Sequence, residues 1–138
     1  MSRGFANPLT ELAEFEELQQ SLKKKKGPVQ VSGCLDSQKV HLMQETVADR
    51  PWKLVVTYDD ARAREIYDDF GCFRDNVWLY PAKDLLFYSA DIHGNLLTRE
   101  RLQVLRHLME DQNGVVVTTM DGLMDHLLPL RCMQEQVL

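Results

Sequence analysis

The sequence predicts an α/β fold, a doubly wound and mainly parallel sheet with helices on both faces, in three layers. Two observations point there. Four short apolar runs, Val29–Val31, Lys53–Tyr58, Val77–Tyr80 and Val115–Thr119, alternate with amphipathic helical stretches, the pattern of a βαβ series. The second run is nearly continuous in apolar residues, as strands buried on both faces are. At 138 residues the chain has the length of one domain.

The helix expected first starts at Asn7-Pro8, where Asn caps free N–H groups and Pro has none to satisfy, and runs to about Lys23. Leu9, Leu12, Ala13, Phe15, Leu18 and Leu22 form one apolar stripe on it, so residues 1–27 should pack on the sheet as a helical arm. Lys23 to Lys26 read either as a basic targeting or DNA patch or, more simply, as a solvated helix end before the Gly27-Pro28 turn. A second helix runs from Lys39 to about Ala48. Asp59 or Asp60 caps the next, which carries Ala63, Ile66, Tyr67 and Phe70 inward and stops at Gly71. Pro81 ends the third strand, and the segment to Asn95 fits neither the helical nor the strand period. Asn95 or Thr98 caps a helix that turns Leu102, Leu105, Leu108 and Met109 inward until Asn113-Gly114. A short helix with Leu123, Met124 and Leu127 follows the fourth strand and is limited by Pro129.

Composition excludes several classes. A hydrophobic fraction of 44% with 27% charged residues is that of a soluble globular protein. No apolar run approaches the roughly 20 residues of a membrane span, and no signal peptide is visible, so a cytoplasmic location is expected. Lys and Arg number 16 against 21 Asp and Glu, a net charge of −5, which disfavours DNA binding by this chain alone. Cys34, Cys72 and Cys132 are too far apart for a zinc motif and read as reduced. His41, His93, His107 and His126 lack a nucleophile pattern, and Asp59-Asp60 reads as capping rather than metal ligation, so no cofactor is expected.

One stretch carries chemistry. After the first strand, Gly33-Cys34-Leu35-Asp36-Ser37-Gln38-Lys39-Val40 has the layout of a phosphate-binding P-loop, G-x-x-x-x-G-K-[ST], in which backbone N–H groups and Lys meet phosphate and a hydroxyl holds Mg²⁺. Gly33, Ser37 and Lys39 are the nucleotide-binding candidates. Gln38 stands where the second Gly belongs, and Val40 where the metal-ligating hydroxyl belongs, so the loop reads as degenerate and inactive.

Together, GCLDSQKV, LVVTYDDARAREIYDDF, YPAKDLLFYSADIHGNLLTRERLQVLRHLM and VVVTTMDGLM resemble the amino-terminal part of the bacterial transcription-repair coupling factor, over most of residues 7–128. That region is similar to the damage-verifying B protein of the bacterial excinuclease and to the first motor domain of superfamily 2 helicases. The run from Tyr80-Pro81 to Arg101-Leu102 is its most specific element. The resemblance implies a helicase-like domain of transcription-coupled nucleotide excision repair. The chain departs from a working motor in its loop, and it lacks a D-E-x-[DH] run to hold Mg²⁺. The segment matching the DNA-clamping hairpin of the excinuclease B protein is also too short here. The expectation is therefore a noncatalytic scaffold, not an enzyme, with the family's ATP-dependent translocase further downstream; the alternative is a nucleotide- or DNA-phosphate-binding module. Residues 129–138 would begin a connection to downstream domains, through which the excinuclease A protein and RNA polymerase would be engaged. Phe87, Tyr88, Arg99 and Arg101 are the candidate partner contacts.

Overall fold

The computed structural model describes residues 9, 11–24, 27–82 and 92–125, with the side chains of residues 37 and 92–95 outside the description. In chain order the elements are α1 (Ala13–Lys23), α2 (Asp36–Thr46), β1 (Trp52–Thr57), α3 (Asp60–Gly71), β2 (Val77–Tyr80), α4 (Ile92–Glu110), β3 (Gly114–Thr119) and α5 (Met120–Met124). The three strands form an open parallel sheet in the order β1-β3-β2. Trp52 lies opposite Gly114 and Thr57 opposite Thr119 on one side of β3; Val77 lies opposite Val115 and Tyr80 opposite Thr118 on the other. Being central and covered, β3 is buried at every position, which suits its run of β-branched residues.

Alternation along β3 divides the core in two. Val115 and Val117 point toward Ala63, Ile66 and Phe70 of α3 and Val40 of α2, with Val77 beside them. Val116 points the other way, toward Val104 and Leu105 of α4, Tyr80, and the rings of Trp52 and Trp78. Helices therefore cover opposite faces of the sheet. The two Trp rings lie 5.5 Å apart over Gly114, where a Cβ would collide with Trp78 and come within 2.7 Å of Trp52. At this position glycine is required by close approach rather than by backbone conformation.

Several sequence expectations change. Val29–Val31 is not a strand: it makes no ladder among the described residues, and Val29 and Val31 remain 38% and 50% exposed. Lying between the turns at Gly27 and Gly33, both with positive φ, the run is too short to hold itself on an edge by pairing alone. β1 is buried on one face only, since α4 packs on β2 and leaves Leu54 59% exposed. α1 begins at Ala13, after Leu12 in an extended conformation. α2 begins at Asp36, ahead of Lys39, and ends at Thr46. α4 already runs from Ile92, so Thr98 is interior to it, and its inward positions are Arg101 and Val104, while Leu102 and Leu108 face outward. Asp59 does cap α3, accepting from the Arg62 N–H at 2.6 Å. Pro8, Leu127, Pro129 and residues 83–91 lie outside the described residues.

Candidate anion loop and the cleft beside it

Gly33 has φ +83°, a left-handed turn that leads into α2 and that side chains with a Cβ resist. Leu35, extended, precedes the first helical turn and has no oxygen with which to cap it. Half a capping box remains: Gln38 Oε1 accepts from the Leu35 N–H at 3.1 Å. Lys39 is half exposed and turns back along its own helix. Its Nζ donates to Asp36 Oδ1 at 2.8 Å, and the same oxygen receives Arg62 Nη2 at 3.0 Å, while Arg62 Nη1 holds Glu65 Oε2 at 2.7 Å. The Lys39 hydrogen bond, then the charge of Arg62, holds the Asp36 carboxyl below the usual carboxylate range. A carboxylate of the chain itself thus sits where a helix N-terminus favours an anion.

The two departures from the P-loop pattern acquire reasons here. Gln38 supplies the turn's side-chain hydrogen bond, and Val40 is fully buried against α3, where a hydroxyl in place of a methyl would need a partner. Ser37 is in the first turn of α2, with its side chain outside the described residues.

Beside this turn runs a cleft of about 750 Å³, bounded by α1, α2, the segment through Val29 and Val31, and β1. Four successive β1 residues, Trp52, Lys53, Leu54 and Val55, line it. Because neighbours in a strand point to opposite faces, such an unbroken lining means that the cleft follows the strand's edge. Lys39, Arg50 and Lys53 also line it, and no Asp or Glu does among the described residues. Lys53 is buried, donating to the Arg50 carbonyl at 2.8 Å; burial first, then the nearby Arg74, pushes its pKa down. Thr46 Oγ1, at the same end of the cleft, is buried without a partner among the described residues.

A second polar cluster closes the carboxyl end of the sheet. Arg101 is 5% exposed, and its guanidinium lies 4.4 Å over the Tyr80 ring. Thr118 Oγ1 donates to the Tyr80 carbonyl at 2.8 Å, and Thr119 Oγ1 accepts from the Gly122 N–H at 3.2 Å to cap α5. Burial raises the Tyr80 pKa, with Arg101 opposing. Arg101 is therefore turned into the fold, while Arg99 is exposed on α4. Phe87 and Tyr88 lie outside the described residues.

Sequence reasoning passed over Lys53, Tyr80, Thr118 and Asp125, whose carboxylate accepts from Arg101. Arg101 was open to discovery: Leu97, Arg101 and Val104 share a helical stripe with a charge in its middle, and such a charge needs a partner. Cys34 and Cys72 are free thiols, His41 stacks on Phe73, and His107 stacks on Trp78 and pairs with Asp111. Among the described residues no three His, Cys, Asp or Glu side chains gather to hold a metal, and no helix is long and apolar enough to cross a membrane. Comparison of the chain with family models, with curated proteins and with solved structures finds no match in any of the three.

Proposed function

We propose that the chain is a noncatalytic scaffold: a doubly wound, helicase-like domain with a degenerate P-loop, of the kind found at the start of transcription-repair coupling factors. In this reading it serves transcription-coupled nucleotide excision repair by positioning downstream domains of a longer protein. Those domains would engage the excinuclease A protein and RNA polymerase, and this chain would bind DNA weakly or not at all. The observation that supports it best is the Lys39–Asp36 ion pair, shared with Arg62. The lysine that a nucleotide would need pairs with a carboxylate of its own helix, a solvent-exposed contact that a nucleotide would have to displace, and the metal-ligand position is a core valine. The alternative, a phosphate-binding module, has the Gly33 turn in its favour but must displace Asp36 from its own helix terminus.

Calorimetry with Mg²⁺-ATP tests the reading directly. The expected result is neither hydrolysis nor measurable heat of binding. Low-micromolar affinity that disappears in Lys39→Ala would replace the scaffold with the binding module. A monomeric sample should also fail to capture the excinuclease A protein, and capture as tight as that by a longer protein would place the recruitment surface within these residues.

A further inference from the structure

The open edge of β1 and the cleft along it form a surface with no role in the reading above. Gly114 N–H donates to the Pro51 carbonyl at 2.9 Å, which sets the phase of the strand: residues 53, 55 and 57 direct their backbone groups to β3, and Trp52, Leu54 and Val56 direct theirs outward. Among the described residues nothing pairs with that outer row. An exposed row of N–H and C=O groups is a template for another strand, and proteins commonly blunt it with charge, a bulge or a cover. Here it is flanked instead by an apolar channel whose walls include Leu22, Val29, Val31, Leu42 and Met43.

Charge selects among the occupants. The chain as a whole is acidic, at −5, yet the cleft is lined by Lys39, Arg50 and Lys53 without a carboxylate among the described residues. Lys39 is paired with Asp36 near Gly33; at the other end, where β1 begins, Arg50, Lys53 and the nearby Arg74 outnumber Asp49, which acts on Lys53, and Glu45, which shares the adjoining pocket with Arg50. The Thr46 hydroxyl, which also lines the cleft, is buried and has no partner among the described residues.

We propose that this cleft binds an extended acidic–apolar peptide segment of a partner protein, which adds a strand to β1 with its carboxylates against Arg50 and Lys53 and its alternate apolar side chains in the channel. Main-chain pairing supplies affinity in such recognition, and the side-chain pockets and charge supply selectivity. The cleft's size, about 750 Å³, falls in the range of ligand-binding clefts. The proposal goes beyond the scaffold reading and does not depend on the identity of the longer protein.

The test uses the full chain and a blocked peptide of alternating valine and threonine with two glutamates at one end, made with the glutamates at either terminus, and a counterpart carrying lysines. Amide hydrogen exchange at Leu54 and Val56 is the readout. A glutamate peptide should slow exchange at both amides at least about tenfold, and the lysine peptide should not. Arg50→Gln, a change at an exposed residue, should weaken the effect about three- to tenfold. Leu54→Pro, which removes one outward N–H, should abolish the protection at Val56, the amide that still reports in this variant. Protection by neither peptide, or equally by both, overturns the proposal. So does protection already present in the free chain, which would show Val29–Ser32 closing on the edge itself.

Discussion

Arg101 donates through Nη1 both to the Asp125 carboxylate, at 2.7 Å, and to the Pro81 carbonyl, at 3.0 Å, so that a single side chain of α4 ties the end of β2 to the end of α5. Asp125 is partly solvated and Arg101 is not. Removing the anion therefore leaves a buried cation, whereas removing the cation leaves a carboxylate that water can reach. Asp125→Ala should cost about 3 kcal/mol in urea unfolding. Arg101→Met, which also keeps packing over Tyr80, should cost less, about 1 to 2 kcal/mol. The reverse order would mean that the guanidinium's contacts with Tyr80 and Pro81 outweigh the cost of stranding its charge.

Gly114 should tolerate no side chain. Gly114→Ala drives a methyl into Trp78 and Trp52 and should destabilise by about 1 to 3 kcal/mol, with a change in the near-ultraviolet dichroism of the Trp pair. Trp78→Leu in the same background should recover part of the loss, because it removes the closer ring. Calorimetric melting of the single and double variants checks both statements.

Lys53 gives the fold an alkaline signature. Its folded pKa lies below the ordinary value because burial and Arg74 disfavour the ammonium, so between the folded and unfolded values the unfolded chain binds the extra proton. Stability from this group should therefore rise with pH through that interval, toward about pH 10.4. Tyr80 works in the opposite sense above about pH 10, since its folded pKa is raised. Lys53→Met should stabilise the chain at neutral pH by about 1 kcal/mol and remove the alkaline rise, isolating it from Tyr80. Denaturant midpoints measured across pH in both proteins decide it.

Asp36 acts at the acid end. With its folded pKa depressed by Lys39 and Arg62, its contribution is complete above the unfolded carboxylate value, about 3.9, and is lost as pH falls through the folded value. Asp36→Asn should flatten that acid limb. It should also release Lys39 and one face of Arg62, whose Nη1 stays on Glu65, so that pyrophosphate, silent on the parent chain in calorimetry, gains a measurable affinity that Lys39→Ala in the same background removes. Continued silence would show that the turn geometry, rather than the carboxylate, prevents anion binding.

Much of the architecture is legible in the sequence because apolar periodicity is a local signal. Val115–Thr119 and the stripe Ala63, Ile66 and Phe70 announce a buried strand and a packed helix from spacing alone, and Asp59-Asp60 announces a cap without deciding which of the two makes it. The differences share one physical origin, which is that pairing and cover are decided at long range. Val29–Val31 has strand-forming residues but no strand partner among the described residues, and Leu54 belongs to an apolar run that no described helix covers. Spacing puts Leu102 and Leu108 inward because leucine usually is, but the phase of α4 is set by Arg101, whose partners Pro81, Asp125 and Tyr80 all belong to other parts of the chain. At the loop, spacing reveals the missing glycine and hydroxyl. It does not reveal that Asp36 takes the lysine, because that depends on a rotamer and on Arg62 arriving from another helix.

The strand order has a consequence for how the chain is made. β3 separates β1 from β2, yet it is the last of the three to be synthesised, so neither earlier strand can form a native ladder until Thr119 has left the ribosome. Domains fold as units during synthesis, and strands that wait for a distant partner fold slowly and keep their edges open meanwhile. A nascent chain halted before Gly114 would hold its helices beside two unpaired strands, a form suited to chaperone capture or misassociation rather than to a partly built sheet.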